Sequence, residues 1–189
     1  MFLTVTSTSA DLEIQKHLTS IHIEEWLRED VLHFKWWLLL GLILAALLVW
    51  WNMLDKSRLH ETLLYAALTT IVSLGICEYG EELTLWDYPA DIIPIFSPLT
   101  SINLIGLSLL YSLVYQYFNT WKSFIVASVI VTSVSCFIIE PLLVWGGLYQ
   151  LLKWKHYYSL PVYFAASLCI RAITSKIYSV TQSYENNNH

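Results

Sequence analysis

Residues 36–54 read WWLLLGLILAALLVWWNML, nineteen positions without a charge and with a Trp pair near each end. As an α-helix this run is about 28 Å long, close to the ~30 Å hydrocarbon core of a bilayer, and Trp pairs suit its two interfaces. Four more apolar runs follow, at about 62–79, 95–118, 123–145 and 157–177. A soluble domain of 189 residues has room to hide one such helix but no interior for five. The expected fold class is therefore all-α, a polytopic membrane bundle of about five transmembrane helices.

Charge tells the same story. Asp, Glu, Lys and Arg make up 13% of the chain, against roughly a quarter in soluble domains. Mean hydropathy is +0.53, and the net charge of −5 offers no basic field for nucleic acid. Cys77, Cys136 and Cys169 fall inside runs with no paired spacing, so buried thiols are expected. His17 and His22 lie five apart and miss the helical spacing that a metal would need. No metal and no cofactor is implied.

Residues 1–35 differ in kind. Thr8 followed by Asp11 fits a helix cap. Leu18, Ile21, Ile23, Leu27, Val31 and Phe34 recur at rough helical spacing, with Glu24, Glu25, Glu29 and Asp30 facing outward. The segment is expected to be an amphipathic helix at the membrane interface. The first fifteen residues hold no Lys or Arg, unlike a signal peptide, and residues 179–189 form a polar tail.

Five crossings put the termini on opposite sides. The N-terminal segment and the loops after spans two and four then share one face, and the other loops share the second face with the tail. Lys and Arg divide five to five, so the positive-inside rule returns a tie. Acidic residues do not: 12 of 15 lie on the first face, giving −7 there and +2 opposite. The loop 81–91 has no basic residue, which places this acidic face outside the cytoplasm.

The acidic face also gathers the candidate site: Glu78, Trp86, Asp87, Tyr88, Asn103, Glu140, Trp145, Tyr149, Trp154, Lys155 and Tyr158. Glu140 is the sharpest of these, a carboxylate with apolar neighbours on both sides. Ser128, Thr132, Cys136 and Glu140 step by four, as do Ser159, Tyr163, Ser167, Arg171 and Ser175, and small or polar stripes of this kind form helix–helix contacts. Arg171 lies too deep in span five to reach Glu140 and is assigned to the opposite face, with Asp55 or Glu61 as partners. The expected partners of Glu140 are Lys153, Lys155, Trp154 or a Tyr hydroxyl. A cluster of Glu78, Asp87 and Glu140 is the alternative.

The segments LWDYP, YQYFNTWKSF, EPLLVWGGLY and LLKWKHYYSLPVY, taken in order, resemble an uncharacterised family of small multi-pass membrane proteins, found mainly in endospore-forming Gram-positive bacteria. The resemblance covers roughly residues 36–177. Its pattern maps onto Trp86, Asp87, Tyr88, Pro89, Tyr115, Trp121, Lys122, Glu140, Pro141, Trp145, Tyr149, Trp154, Tyr158 and Pro161. Relatives often carry Asp where this chain has Glu78 and Asn103. The resemblance implies a bacterial cell-membrane location and no particular activity. The functional expectation is a non-enzymatic structural or binding membrane protein, whose partners are the bilayer and a protein partner or second copy. The alternatives are a membrane enzyme or lipid or isoprenoid binder using Glu140 and Glu78, and a proton or cation pathway.

Overall fold

A computed structural model describes residues 3–89, 92–93 and 102–187. The chain is all-α. Its helices are α1 (Leu3–Glu25), α2 (Phe34–Met53), α3 (Leu59–Glu82), α4 (Ile102–Tyr117), α5 (Trp121–Trp145) and α6 (His156–Asn187). Among the described residues four stretches are long and apolar enough to cross a membrane: Phe34–Met53, Lys56–Glu82, Trp121–Trp145 and His156–Thr181. Helix α4 has 16 described residues, and positions 94–101, which open the expected third span, lie outside the described residues.

The bundle is built around α4, which packs against α2, α3 and α5, while α6 closes the other side against α3 and α5. Tyr65 of α3 stacks on Tyr115 of α4 with ring centroids 4.4 Å apart, and Phe124 of α5 meets both rings edge-on. Polar side chains point inward: Thr62, Thr69, Ser108, Ser112, Gln116, Ser128, Thr132, Ser167 and Thr174 are all buried. Leu48, Val49, Ile71, Val126, Ile130 and Ile138 are exposed. Such a surface is costly in water and ordinary against lipid.

The N-terminal segment departs from expectation in two ways. The helix is already formed by Leu3, so Thr8 lies within it rather than at its start; no Gly or Pro interrupts residues 3–8. The helical run also stops short of Phe34. Trp26–Asp30 widens into a π turn and Leu32 takes φ +63°, which breaks the chain before α2 begins. Leu12, Ile14 and Leu18 of α1 are exposed rather than packed on the bundle.

Two helices end at the acidic side in the same way. At α5, Leu148 N–H donates to the Leu143 carbonyl and Gly147 N–H to Val144, a Schellman turn with Gly147 at φ +67°. At α3, Leu85 N–H donates to Gly80 and Thr84 N–H to Glu81. Here the left-handed position, φ +53°, falls on β-branched Thr84, a strain of about 1–3 kcal/mol. Lys153 offsets it by donating from Nζ to Thr84 Oγ1 at 2.7 Å.

Both turns deliver their chains into one short antiparallel pairing, Trp86 opposite Leu151 and Asp87 opposite Gln150. The N–H groups of Leu152, Lys153 and Trp154 then converge on the Leu85 carbonyl at 3.0–3.1 Å. Trp86 lies flat on α3 because Gly80 has no side chain; a Cβ there would sit 1.9 Å from the indole ring. Gly80→Ala should therefore expel Trp86, costing about 1–3 kcal/mol and red-shifting the Trp emission. Gly75→Ala, with nothing within 4 Å of its Cβ, should leave both readings at wild-type values.

Candidate functional site

Pro141 shapes the site. It has no N–H to give, and within a helix its ring clashes with the carbonyl four residues back, that of Phe137. Just before it, the backbone relaxes into a π-helical turn over Ser135–Ile139. A step of four over-rotates an α-helix by about 40°, so the three steps from Ser128 to Glu140 would drift about 120°. The wider turn takes up part of that drift. Ser128, Thr132, Cys136 and Glu140 all stay buried on one line.

Glu140 is 0% exposed. Its Oε2 lies 3.1 Å from Nδ1 of His156, the first residue of α6. The hydroxyls of Ser159 and Tyr163 interact with the same carboxylate from the next two turns of α6. Oε1 has no hydrogen-bond partner of good geometry. The dyad thus joins α5 to α6, with the imidazole 31% exposed and the carboxylate sealed.

An aromatic cap covers this end. Trp86, Tyr88 and Tyr149 are buried together with Cys77. Trp86 meets Trp154 edge-on at 5.3 Å, Trp154 meets Tyr158, and Tyr88 meets Tyr149. Trp154 donates from Nε1 to Ser159 Oγ at 3.0 Å, so the cap is tied to the residue beside Glu140. Burial raises the Tyr149 phenol well above its ordinary range, and the nearby Glu140 carboxylate raises it further. The Tyr88 phenol is raised first by burial and then by Cys77, whose Sγ is 3.5 Å away.

The structure places the expected site residues in three groups. Trp86, Tyr88, Tyr149 and Trp154 converge with Glu140. Glu78, Asp87, Lys155 and Tyr158 are exposed around the cap, and the two acids do not join Glu140 in a cluster. Trp145 stands 88% exposed on the outside of α5. Asn103 lies in the first turn of α4, and its side chain is outside those described. Among the described residues no group of three His, Cys, Asp or Glu could hold a metal ion.

Sequence reasoning missed His156 as the partner of Glu140. Lys153 is engaged with Thr84, Lys155 sits over the Tyr157 ring at 5.9 Å, and the Trp154 indole goes to Ser159. The available signal was that His156 opens the helix that carries the Ser159–Tyr163 stripe. Arg171 lies at the other end of the bundle, where Nη1 and Nη2 donate to the carbonyls of Phe118 and Asn119 rather than to a carboxylate.

The second feature of this end is an apolar groove of about 540 Å³ along α3, walled by Val72, Ile76, Tyr79, Leu83, Trp86 and Trp154 among others. Neither Glu140 nor Glu78 lines it. Trp86 Nε1 is buried without an acceptor. No family model, no curated protein and no solved structure matches this chain.

Two outcomes follow. A double-mutant cycle of Glu140→Ala and His156→Ala, read by thermal unfolding in detergent, should give a coupling of about 0.5–3 kcal/mol. In an alkaline titration read by phenolate absorbance, Tyr88→Phe and Tyr149→Phe should leave the steps near pH ~10 unchanged, because these phenols ionise later. Their folded pKa values lie above the unfolded ones, so the stability they contribute is present below pH ~10 and falls as pH rises through the folded values.

Proposed function

We propose that this chain is a five-span, non-enzymatic membrane protein that binds at its acidic, aromatic end. The observation that carries the reading is the sealed state of Glu140. A carboxylate with 0% exposure, paired to His156 beneath Trp86, Tyr149 and Trp154, has no face left for a substrate, and solvent meets the pair only at the imidazole. It suits an interhelical lock, for which an ionisable group within an apolar segment needs its partner.

The third crossing runs through α4. Its Leu107, Tyr111, Val114 and Tyr115 pack in the centre of the bundle between helices that are themselves long enough to span. Helix α1 lies along the interface, where its exposed Leu12, Ile14 and Leu18 enter the headgroup boundary. The acidic end faces away from the cytoplasm, in the cell membrane of a Gram-positive bacterium, as the resemblance of its Trp, Tyr and Pro pattern implies. A second reading is favoured by the groove beside Trp86: a lipid or isoprenoid chain would lie along α3.

Engineered cysteines test the architecture. Glu82→Cys and Ser183→Cys should label from opposite sides of intact cells; labelling from one side means four crossings. The lock is tested with Glu140→Gln and Trp145→Phe in the cell. Glu140→Gln should lower accumulation several-fold while Trp145→Phe accumulates normally. Normal accumulation of Glu140→Gln together with failure to complement the deletion strain would sink the non-enzymatic reading.

A further inference from the structure

At the end opposite Glu140, a cavity of about 370 Å³ is lined by Arg58, Glu61, Tyr115, Asn119, Arg171 and Ser175. It has room for about a dozen waters at ~30 Å³ each. Arg171 is only 4% exposed and always charged. Its guanidinium lies 4.2 Å from the Phe124 ring centroid and 5.0 Å from that of Trp121. Two nitrogens reach backbone carbonyls, and Nε has no acceptor.

The acids at this end are already committed. Glu61 Oε2 takes two bonds from Arg58, at 3.1 and 2.9 Å, and Tyr115 donates to its other oxygen. Asp55 Oδ1 accepts from the Ser57 amide and hydroxyl, which hold its pKa below the usual value. Among the described residues no carboxylate forms an ion pair with Arg171. The C-terminus of α4, from which the Phe118 and Asn119 carbonyls extend, supplies about half a negative charge. Two guanidinium groups against one carboxylate and that dipole leave the cavity positive.

We infer that this cavity binds a phosphate-bearing anion, carried on a lipid headgroup or free in solution. Arg171 and Arg58 supply charge and donors, and Tyr115, Asn119 and Ser175 line the remaining wall. A buried cation without a full countercharge gains most from such a ligand. Exposed Tyr117 and Trp121 mark this as an interfacial level, where lipid phosphates lie. The inference does not depend on what the Glu140 end does.

The test uses the full chain in a maltoside micelle. Three probes are titrated by native mass spectrometry and thermal shift: dioctanoyl phosphatidylglycerol, dioctanoylglycerol, and inorganic phosphate. Asn119→Asp is the informative variant. It keeps the oxygen that accepts from Arg58 and adds a negative charge at an exposed position, so the fold should stand. Ser175→Asp places the same charge on the cavity wall from α6. Wild-type protein should bind the phosphatidylglycerol at least tenfold more tightly than either variant, with dioctanoylglycerol unchanged. Protection by inorganic phosphate, lost in both variants, assigns the site to a free anion. Equal binding of both phosphate probes by wild type and both variants would overturn the inference, as would no binding of either probe to wild type.

Discussion

Everything in this fold answers to the cost of leaving a polar group unpaired away from water. An unsatisfied buried donor or acceptor costs about 1–3 kcal/mol, and an uncompensated charge costs more. A chain whose outside is Leu, Ile, Val and Trp must settle its polar groups among themselves. Thr132 donates to the Ser128 carbonyl and meets the Tyr111 hydroxyl; Tyr65 donates to the Ser167 carbonyl; Trp50 donates to Ser112. Three of these bonds cross between helices, and the Tyr111–Thr132 and Trp50–Ser112 pairs fix α4 against α5 and α2 where apolar side chains alone would leave its rotation free.

The two ends meet that requirement differently. At the acidic end the backbone does the work. Two Schellman turns, a two-residue pairing and three N–H groups on the Leu85 carbonyl leave few main-chain groups open, and an aromatic cap helps to keep water from the Glu140 carboxylate. At the other end side chains do it. Gln116 bridges the loop after α2 by accepting from Asp55 N–H and donating to the Met53 carbonyl, while Arg58 and Arg171 collect the carbonyls left by the end of α4. One end is closed over its buried carboxylate. The other is open and carries surplus positive charge.

Much of this was legible in the residues. The long apolar runs set helix length and number within one element, because bilayer thickness and helix rise are fixed quantities. The four-residue steps from Ser128 to Glu140 and from Ser159 to Ser175 identified inward faces, since side chains at that spacing share a side of a helix. Less legible was the π turn before Pro141, which keeps the carboxylate on its line. The sequence announces that a bond is lost there but not how the helix relaxes.

Partnership was the part that spacing could not reach. Trp145 and Tyr149 are four apart in sequence, yet one stands outside the bundle and the other is buried beside Glu140, because the α5 helix ends between them at Gly146 and Gly147. His156 outcompetes two nearby lysines for Glu140 because α6 starts at that residue and points its ring back at α5. The amino-acid sequence by itself determined an all-α chain with apolar outer faces and polar inner stripes, since those follow from period and hydropathy along one dimension. Only the tertiary structure decided which charges meet, which of them is left unmatched, and which aromatic rings close the end, because those depend on the rotation and termination of helices distant in the chain.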